Sequence, residues 1–319
     1  MIMITDTDKK SFRQLLKETI KSKDTEEWLD IYFTRPVGLA VALMCRKLGI
    51  HPNTVTIISL FIGAAGGAMF YFRDLWCNVV GVLLLVSANI LDSTDGQLAR
   101  LTGQKTLLGR ILDGFAENVW FVVIYLAIIF RLWNQPIPGL PVLWTYWAFI
   151  LAAVAGCLSH SPQCLLSDYY RQIHLFFLNG KKGAELDSFQ NQQALYDALP
   201  KSASIGERAF QMLYVNYCKQ QEKKTPVFQD MIKAIYKRYG TIDALPQELR
   251  TEFLAGSRPL MPFTNILTYN VRAICLYITC LADCPWMYLL FEITVMNLLY
   301  IYMHQRHEAL CKKILTKIG

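Results

Sequence analysis

Residues 76–131 read WCNVVGVLLLVSANILDSTDGQLARLTGQKTLLGRILDGFAENVWFVVIYLAIIFR. The stretch contains two apolar runs, at about 76–99 and 107–131, and each is long enough for a helix to cross roughly 30 Å of hydrocarbon. Acidic residues at helical spacing end the first run and begin the second. Charged side chains in membrane helices are rare and mark functional sites, so this pair of helices sets both the fold and the place of the chemistry.

The composition of the whole chain also favours a membrane protein. Of the 319 residues, 53% are hydrophobic and 18% are charged, against roughly 25% charged residues in a soluble domain. The formal net charge of +7 suits either nucleic acid or anionic lipid headgroups. The long apolar runs favour membrane lipids, so we expect no nucleic-acid partner.

The apolar runs predict an all-α polytopic membrane helical bundle of about six transmembrane helices. His51-Pro52-Asn53-Thr54 marks the start of the first one. The six predicted spans are about 54–72, 76–99, 107–131, 142–160, 263–283 and 285–304.

Segments outside the spans have a different character. Residues 12–33 and 36–48 are too short or too polar to span and predict N-terminal interfacial helices; the polar N-terminus argues against a cleavable signal peptide. Within residues 165–262 the stretches 204–222 and 226–239 predict helices, the second closed by Gly240. The predicted organisation is an N-terminal interfacial segment 1–50, a transmembrane catalytic bundle 51–164 and 263–304, a cytosolic α-helical insertion 165–262 and a basic C-terminal tail 305–319.

Lysine and arginine in the short flanks predict the orientation. The flank before the first span, the 100–110 loop and the chain end are all basic, and six spans place them on one side. We therefore expect both termini, the acidic residues and the insertion to face the cytosol. The chain is expected to be an integral, multi-pass protein, of the cytoplasmic membrane if it is bacterial.

The acidic residues form two stripes on successive helices. Asp92, Asp95, Gly96 and Ala99 lie at i, i+3, i+4 and i+7 and share one helix face. On the next helix the residues at steps of four are Gly109, Asp113 and Glu117. A short turn joins the two helices, so we expect the two stripes to face each other.

Carboxylates gathered in one membrane pocket repel each other unless cations neutralise them. Oxygen ligands suit Mg²⁺ or Mn²⁺, and two such ions clamp a diphosphate. Gly96 and Ala99 leave room for a nucleotide, and Arg100 supplies a charge for a phosphate. The alternative is that the acids are solvated or pair with neighbouring arginine and lysine.

At this point the sequence resembles the CDP-alcohol phosphotransferase family. The family signature, Asp-x-x-Asp-Gly-x-x-Ala-Arg followed after eight residues by Gly-x-x-x-Asp-x-x-x-Asp, is matched from Asp92 to Asp113. Glu117 replaces the last aspartate. Pro52-Asn53-x-x-Thr56 is similar to the start of the family's first span. The resemblance covers roughly 35–160 well and 263–304 by span pattern, and the insertion is not part of it.

The resemblance implies a cytosol-facing polar cavity, a homodimer and two divalent cations. By position it makes Asp92, Asp95 and Asp113 metal ligands and Glu117 the general base, with metal contact as well. The residues that it places at the CDP site are Thr56, Gly96, Ala99, Arg100 and Gly109.

The implied reaction transfers a phosphatidyl or other substituted phosphoryl group from a CDP-linked donor to a hydroxyl acceptor and releases CMP. One version uses CDP-diacylglycerol and a small acceptor such as inositol, inositol phosphate, glycerol phosphate or serine. Another uses CDP-choline or CDP-ethanolamine and a lipid alcohol, diacylglycerol or a ceramide. A non-catalytic membrane cation-binding protein would explain the buried acids but not the Gly-x-x-Ala-Arg spacing.

Weaker signals lie outside the motif. Arg272, inside a predicted span, suits either an acceptor phosphate or pairing within the bundle, and the cluster Asp168–Arg171 suits a folded domain or a cavity mouth. Gly63 and Gly67 predict close packing of neighbouring spans. The nine cysteines lack paired zinc-ligand spacing, and His304 and His307 lack metal-ligand company in the sequence, so we assign them no role.

Overall fold

A computed structural model describes residues 11–19, 22, 24–104, 107–184, 186–200 and 202–319, with all their side chains except those of Leu107, Leu108, Arg110, Ile111, Asp113 and Lys182. The described residues form helices and no strand. The α-helices are α1 Phe12–Thr19, α2 Arg35–Lys47, α3 Pro52–Met69, α4 Leu75–Thr102, α5 Leu107–Leu132, α6 Thr145–Ala153, α7 Ser161–Asn179, α8 Phe189–Asp197, α9 Ile205–Lys224, α10 Pro226–Tyr239, α11 Gln247–Ser257, α12 Met261–Ile266, α13 Tyr269–Leu281, α14 Trp286–Phe291 and α15 Asn297–Ile318.

The chain divides into two compact units. The first comprises Met1–Leu158 and Ala273–Ile293, and the second comprises Ser159–Arg272 and Thr294–Gly319. The insertion predicted from the sequence, which contains most of α7, therefore folds together with the C-terminal helix α15, and residues 305–318 of the basic tail belong to that helix.

Local signals set the helix ends. The His51 Nδ1 atom accepts a hydrogen bond from the Asn53 backbone N–H at 3.2 Å, and Pro52 occupies the first turn of α3. Gly103 ends α4 with φ +71° and Gly240 ends α10 with φ +76°, a backbone conformation that glycine adopts without strain. The predicted helix start and the predicted stop at Gly240 are confirmed.

Five helices in the described part of the chain are long and apolar enough to cross a membrane. They are Pro52–Met69, Leu75–Thr102, Gly114–Leu132, Thr145–Asn179 and Trp286–Ile318. π-helical segments at Val154–His160 and Glu292–Met296 lie within the last two. The polytopic all-α fold is confirmed.

The predicted span 263–283 differs from the structure. It is divided into α12 and α13 by a turn at Leu267 and Thr268, and α13 has 13 residues, about 20 Å at 1.5 Å per residue. The Leu267 carbonyl accepts a 3.0 Å hydrogen bond from Arg272 Nη2. The Arg272 side chain thus binds a backbone carbonyl at the break between α12 and α13, a contact that the sequence pattern does not reveal.

In the first unit α3 packs against both α4 and α5, and α2 packs against α4. Glycines make the close approach possible. A Cβ atom on Gly66 would lie 3.0 Å from the Gly81 carbonyl oxygen, and one on Gly63 would overlap the Trp120 ring. The predicted packing of the Gly63 and Gly67 stripe on a neighbouring span is confirmed, with α5 as the neighbour.

An ion-pair cluster connects the ends of α3, α5 and α13 in the first unit. Asp283, in the turn after α13, accepts a 2.8 Å hydrogen bond from Arg131 at the end of α5. Arg73, after α3, donates a second one to the same carboxylate at 2.5 Å. The Arg131 side chain is fully buried and also binds the Asn78 side chain at 2.8 Å.

In the second unit α15 packs against α10 and α11, and α11 packs against α7. The Phe177 and Phe253 rings stack with centroids 3.8 Å apart, and both are completely buried. The core of this unit is therefore built jointly by the insertion and the C-terminal helix.

Candidate active site

The last turns of α4 carry the first acidic stripe. Asp95 is 5% exposed and Asp92 is half-buried. Because α4 is one uninterrupted helix, Asp92, Asp95, Gly96 and Ala99 lie on one face, as predicted.

The buried carboxylate of Asp95 is held by a residue from α3. The Thr56 hydroxyl, 3% exposed, donates a 2.5 Å hydrogen bond to Asp95 Oδ2. Thr56 lies in the second turn of α3. The segment that resembles the start of the family's first span therefore contacts the acidic motif. Such a contact fixes a carboxylate in one orientation, as the outer partners of metal ligands do.

Another face of α4 is held by α2. Thr94 donates to the Gly38 carbonyl at 3.3 Å and the Gln97 side chain donates to the Arg35 carbonyl at 3.1 Å. Arg35 in turn makes a two-point ion pair with Glu26 at 2.7 and 2.8 Å. The segment predicted to be interfacial therefore supports the helix that carries the acids.

Gly96 and Arg100 form the non-acidic part of the stripe. A Cβ atom added to Gly96 would lie 3.6 Å from the Arg100 guanidinium nitrogens and would meet nothing closer. The guanidinium therefore passes over the glycine of the acidic stripe. A phosphate near Gly96 would be within reach of this fixed positive charge.

The second stripe lies on the first half of α5. Gly109 and Glu117 are half-buried, and the side chain of Asp113 lies outside the described residues. Trp120, one turn after Glu117, donates through Nε1 to the Leu60 carbonyl at 3.2 Å and fixes α5 on α3. Convergence of all four carboxylates stays a prediction.

The donor set of this site fits hard divalent cations. Asp92, Asp95 and Glu117 offer carboxylate oxygens, which Mg²⁺ and Mn²⁺ prefer over nitrogen or sulfur. Asp95 is also pre-oriented by Thr56.

Comparison with known proteins agrees with the motif. Residues 49–161 match the family model for CDP-alcohol phosphatidyltransferase. The resemblance is confirmed over this segment, which contains all the predicted site residues from Thr56 to Glu117.

The chain also matches curated proteins over a short stretch. The chain is 37% identical over 79 residues to a CDP-diacylglycerol–glycerol-3-phosphate 3-phosphatidyltransferase of Cereibacter sphaeroides, covering 24% of this chain and 35% of the relative. It is 37% identical over 73 residues to an archaetidylinositol phosphate synthase of Pyrococcus horikoshii, covering 23% and 37%. The match thus spans about a third of the length of these relatives.

Arg272 lies outside the segment that matches the CDP-alcohol phosphatidyltransferases. Its side chain is completely buried and donates to the Gln163 side chain at 2.7 Å and to Leu267 O at 3.0 Å. Its other terminal nitrogen lies 3.0 Å from His160 Nδ1. These contacts support the packing interpretation of Arg272 over the phosphate-binding one.

The Asp168–Arg171 cluster is likewise part of a folded core. Tyr169 is 3% exposed and accepts a 2.8 Å hydrogen bond from Gln229. Asp168 accepts one from the Tyr217 hydroxyl at 2.9 Å, and burial, followed by the Asp168 charge, raises the pKa of Tyr217 well above its usual value.

Sequence reasoning missed Gly38, Gln97 and Trp120. Their partners lie about sixty residues away in the chain, so no local pattern reveals them. Gly38 is required by close approach, because a Cβ atom there would lie 2.8 Å from Gln97 Nε2.

Proposed function

We propose that this chain is a membrane enzyme that transfers a phosphatidyl group from CDP-diacylglycerol to a hydroxyl of a small polar acceptor and releases CMP. One observation carries the proposal: a buried aspartate of the matched motif, Asp95, is oriented by Thr56 on the helix face that also holds Asp92 and Gly96. A cation carrier would not need the glycine and arginine beside the acids.

The residues divide the chemistry between them. Two Mg²⁺ or Mn²⁺ ions held by Asp92, Asp95, Asp113 and Glu117 would neutralise the diphosphate and the departing CMP. Gly96 and Ala99 admit the nucleotide to the helix surface, and Arg100 binds a donor phosphate. Gly109 and Thr56 complete this CDP site.

The bond changes are those of an in-line displacement. The acceptor hydroxyl oxygen bonds to the donor β-phosphorus while its proton passes to the Glu117 carboxylate. The bond from that phosphorus to the oxygen bridging the two phosphates breaks, and CMP leaves with the electron pair.

The acceptor class is inferred from the relatives. The names of the two relatives include glycerol-3-phosphate and archaetidylinositol phosphate, so a polyol or its phosphate is the acceptor to test first. Inositol, inositol phosphate, glycerol 3-phosphate and serine form the panel. CDP-choline with diacylglycerol tests the alternative donor.

The test is CMP release by the purified protein with each donor and acceptor pair, in Mg²⁺ or Mn²⁺ and in excess chelator. Asp95→Asn and Asp113→Asn each remove a ligand charge and should abolish release. Asp230→Asn is the matched control, since Asp230 lies exposed on α10, with Lys233 3.7 Å away.

Three results would contradict the proposal. Full CMP release by folded Asp95→Asn protein would exclude its metal role. Release with CDP-choline alone would assign the lipid-alcohol reaction instead. Cation binding without CMP release from any pair would favour the non-catalytic protein.

We further propose that the site faces the cytosol and that the chain is a homodimer. The orientation is supported by the basic residues that precede α3 and follow α4. Labelling of single cysteines introduced at Gln104 and at Leu140 from either side of a sealed vesicle tests the orientation, and cross-linking in the membrane tests the dimer.

A further inference from the structure

Three side chains of the C-terminal helix α15 bring a nitrogen, an oxygen and a sulfur together. His307, Glu308 and Cys311 each offer one donor atom, and the three atoms lie within 4.8 Å of one another. The His307 Nδ1 atom is 3.6 Å from Cys311 Sγ and 3.9 Å from Glu308 Oε1. At i, i+1 and i+4 the three side chains share one side of the helix.

The cluster is buried, and one of its candidate ligand atoms lacks an ordinary partner. His307 is 1% exposed and Cys311 is completely buried. Among the residues that the structure describes, Glu308 Oε1, one of the three candidate ligand atoms, has no hydrogen-bond partner although it is inaccessible to water. A buried oxygen without a partner is unfavourable, so a ligand for Glu308 Oε1 would stabilise the fold.

We propose that His307, Glu308 and Cys311 bind a Zn²⁺ ion, at a site separate from the carboxylates of α4 and α5. The mixed nitrogen, oxygen and sulfur donors suit zinc, whereas Mg²⁺ and Mn²⁺ of the catalytic site prefer oxygen alone. A fourth position is left for a water molecule or a further protein ligand.

The distances are close to those of a zinc site. Bonds of about 2.0–2.1 Å to nitrogen and oxygen and about 2.3 Å to sulfur, at tetrahedral angles, place ligand atoms about 3.3–3.6 Å apart. The nitrogen–sulfur pair already lies at 3.6 Å. The nitrogen–oxygen pair, at 3.9 Å, would have to shorten by about 0.5 Å when the metal binds.

Neighbouring residues orient two of the ligands. Glu308 Oε2 accepts a 3.0 Å hydrogen bond from the Val227 backbone N–H in the first turn of α10, which leaves Oε1 toward the cluster. The His307 ring stacks on Tyr170 with centroids 4.0 Å apart and meets Phe253 edge-on at 6.2 Å. Support of this kind is typical of metal sites.

The alternative is an ordinary thiol–imidazole hydrogen bond between Cys311 and His307. The chain contains a matched pair with this alternative structure. Cys164 and His160 have the same i, i+4 spacing with Sγ and Nε2 3.5 Å apart, but Arg272 contacts the other ring nitrogen. The His160 pair is not one of the three-ligand groups found in the described residues, and it therefore serves as an internal control.

The experiment measures metal in the full-length purified protein. After dialysis against zinc and gel filtration, elemental analysis should find one zinc per chain beyond any bound at the carboxylates, and Asp95→Asn should retain it. Cobalt in place of zinc should give a thiolate-to-cobalt charge-transfer band, which a site of carboxylates alone cannot give. Zinc should also raise the Tm of the wild type.

The variants identify the ligands. Glu308→Gln keeps an acceptor for Val227 but removes the carboxylate, and Cys311→Ser removes the thiolate; each should lose the zinc and weaken or abolish the band. Cys164→Ser should retain both. A wild-type protein that holds no zinc after dialysis and gives no thiolate band would overturn the proposal, whatever the variants do. A band that disappears in Cys164→Ser would overturn it as well.

Discussion

The hydroxyl of Thr56 donates a hydrogen bond to the Asp95 carboxylate, 2.5 Å away and 39 positions later in the chain. Both residues are buried, with at most 5% of their surface exposed. The contact joins the start of α3 to the last turns of α4 and turns a sequence motif into an oriented carboxylate. The candidate site therefore depends on α3, which carries no acid of its own.

Thr56→Val keeps the shape of the buried side chain but removes the donor to Asp95. A hydrogen bond to a charged group contributes about 1.5–3 kcal/mol, so we expect kcat for CMP release to fall roughly 10- to 100-fold. Thr54→Val, at an exposed position two residues earlier, should leave kcat unchanged. Equal rates in the two variants would show that Asp95 does not need Thr56.

Gly96→Ala tests whether a nucleotide approaches the backbone of α4. The added methyl group meets only Arg100, at 3.6 Å, and alanine favours a helix, so the Tm should not fall. If the donor packs there, its KM should rise about tenfold. Gly206→Ala in α9, also with free space around it, is the matched control and should leave the KM unchanged.

Glu117→Gln tests the base proposed from the motif. The amide cannot take the acceptor proton, so turnover should fall about 100-fold or more, while calorimetry should find CDP-donor binding largely preserved. Glu117→Asp restores the residue of the family pattern and should retain measurable activity. Normal turnover in Glu117→Gln would assign the proton to another group.

Local signals made much of the fold predictable. Pro52 after His51 predicted the start of α3, Gly240 predicted the end of α10, and apolar runs predicted the ends of α4 and α5 to within three residues. Where the outcome depended on tertiary contacts, the prediction was incomplete. The break at Leu267 coincides with a bond from Arg272, and the union of the insertion with α15 arises from packing of distant residues such as Phe177 and Phe253.

In the candidate site too, local features were predictable from the sequence and tertiary contacts were not. The acidic spacing of α4 was visible in the sequence, but its partner Thr56 lies on another helix. The cluster at His307 was missed for a different reason. Glu308 and Cys311 follow it at i+1 and i+4. This spacing indicates a metal site only when histidine, glutamate and cysteine are considered together as ligands on one helix face.

Asp283→Asn tests the charge cluster at the far end of the first unit. Hydrogen bonds from Arg73, then from Arg131, outweigh burial and lower the pKa of Asp283 below its usual 3.8. Because the folded-state pKa lies below that of the unfolded chain, the ion pairs stabilise at neutral pH, and this contribution is lost as the pH falls through the folded-state pKa. Thermal unfolding at pH 7 should therefore show a lower Tm for the variant.

The pH dependence separates charge from shape in this variant. The Tm difference between wild type and Asp283→Asn should shrink as the pH is lowered below about 4. Asp230→Asn, which removes an exposed carboxylate, should show little difference at either pH. A gap that persists unchanged in acid would mean that the introduced asparagine disturbs packing rather than removing an ion pair.

The insertion 165–262 is too long for a passive connection, which suggests a cap that selects the acceptor. Replacing residues 180–255 with a short linker would test such a cap only if the rest of the unit folded without it. The structure argues against that condition, because α10 and α11 pack against α15, whose Met303 and Ile314 are completely buried. We expect the replacement to unfold the second unit.

Phe253→Ala tests this dependence with a single change. The ring is completely buried, stacks on Phe177 at 3.8 Å and meets His307, so its loss should lower the free energy of unfolding by about 3–5 kcal/mol. Limited proteolysis should then cleave both the insertion and residues 297–318 at a common, raised rate. Leu195→Ala, at a 53% exposed position in α8, should change neither. If cleavage rises only within the insertion, α15 folds independently of it, and the linker replacement becomes a valid test of acceptor selection.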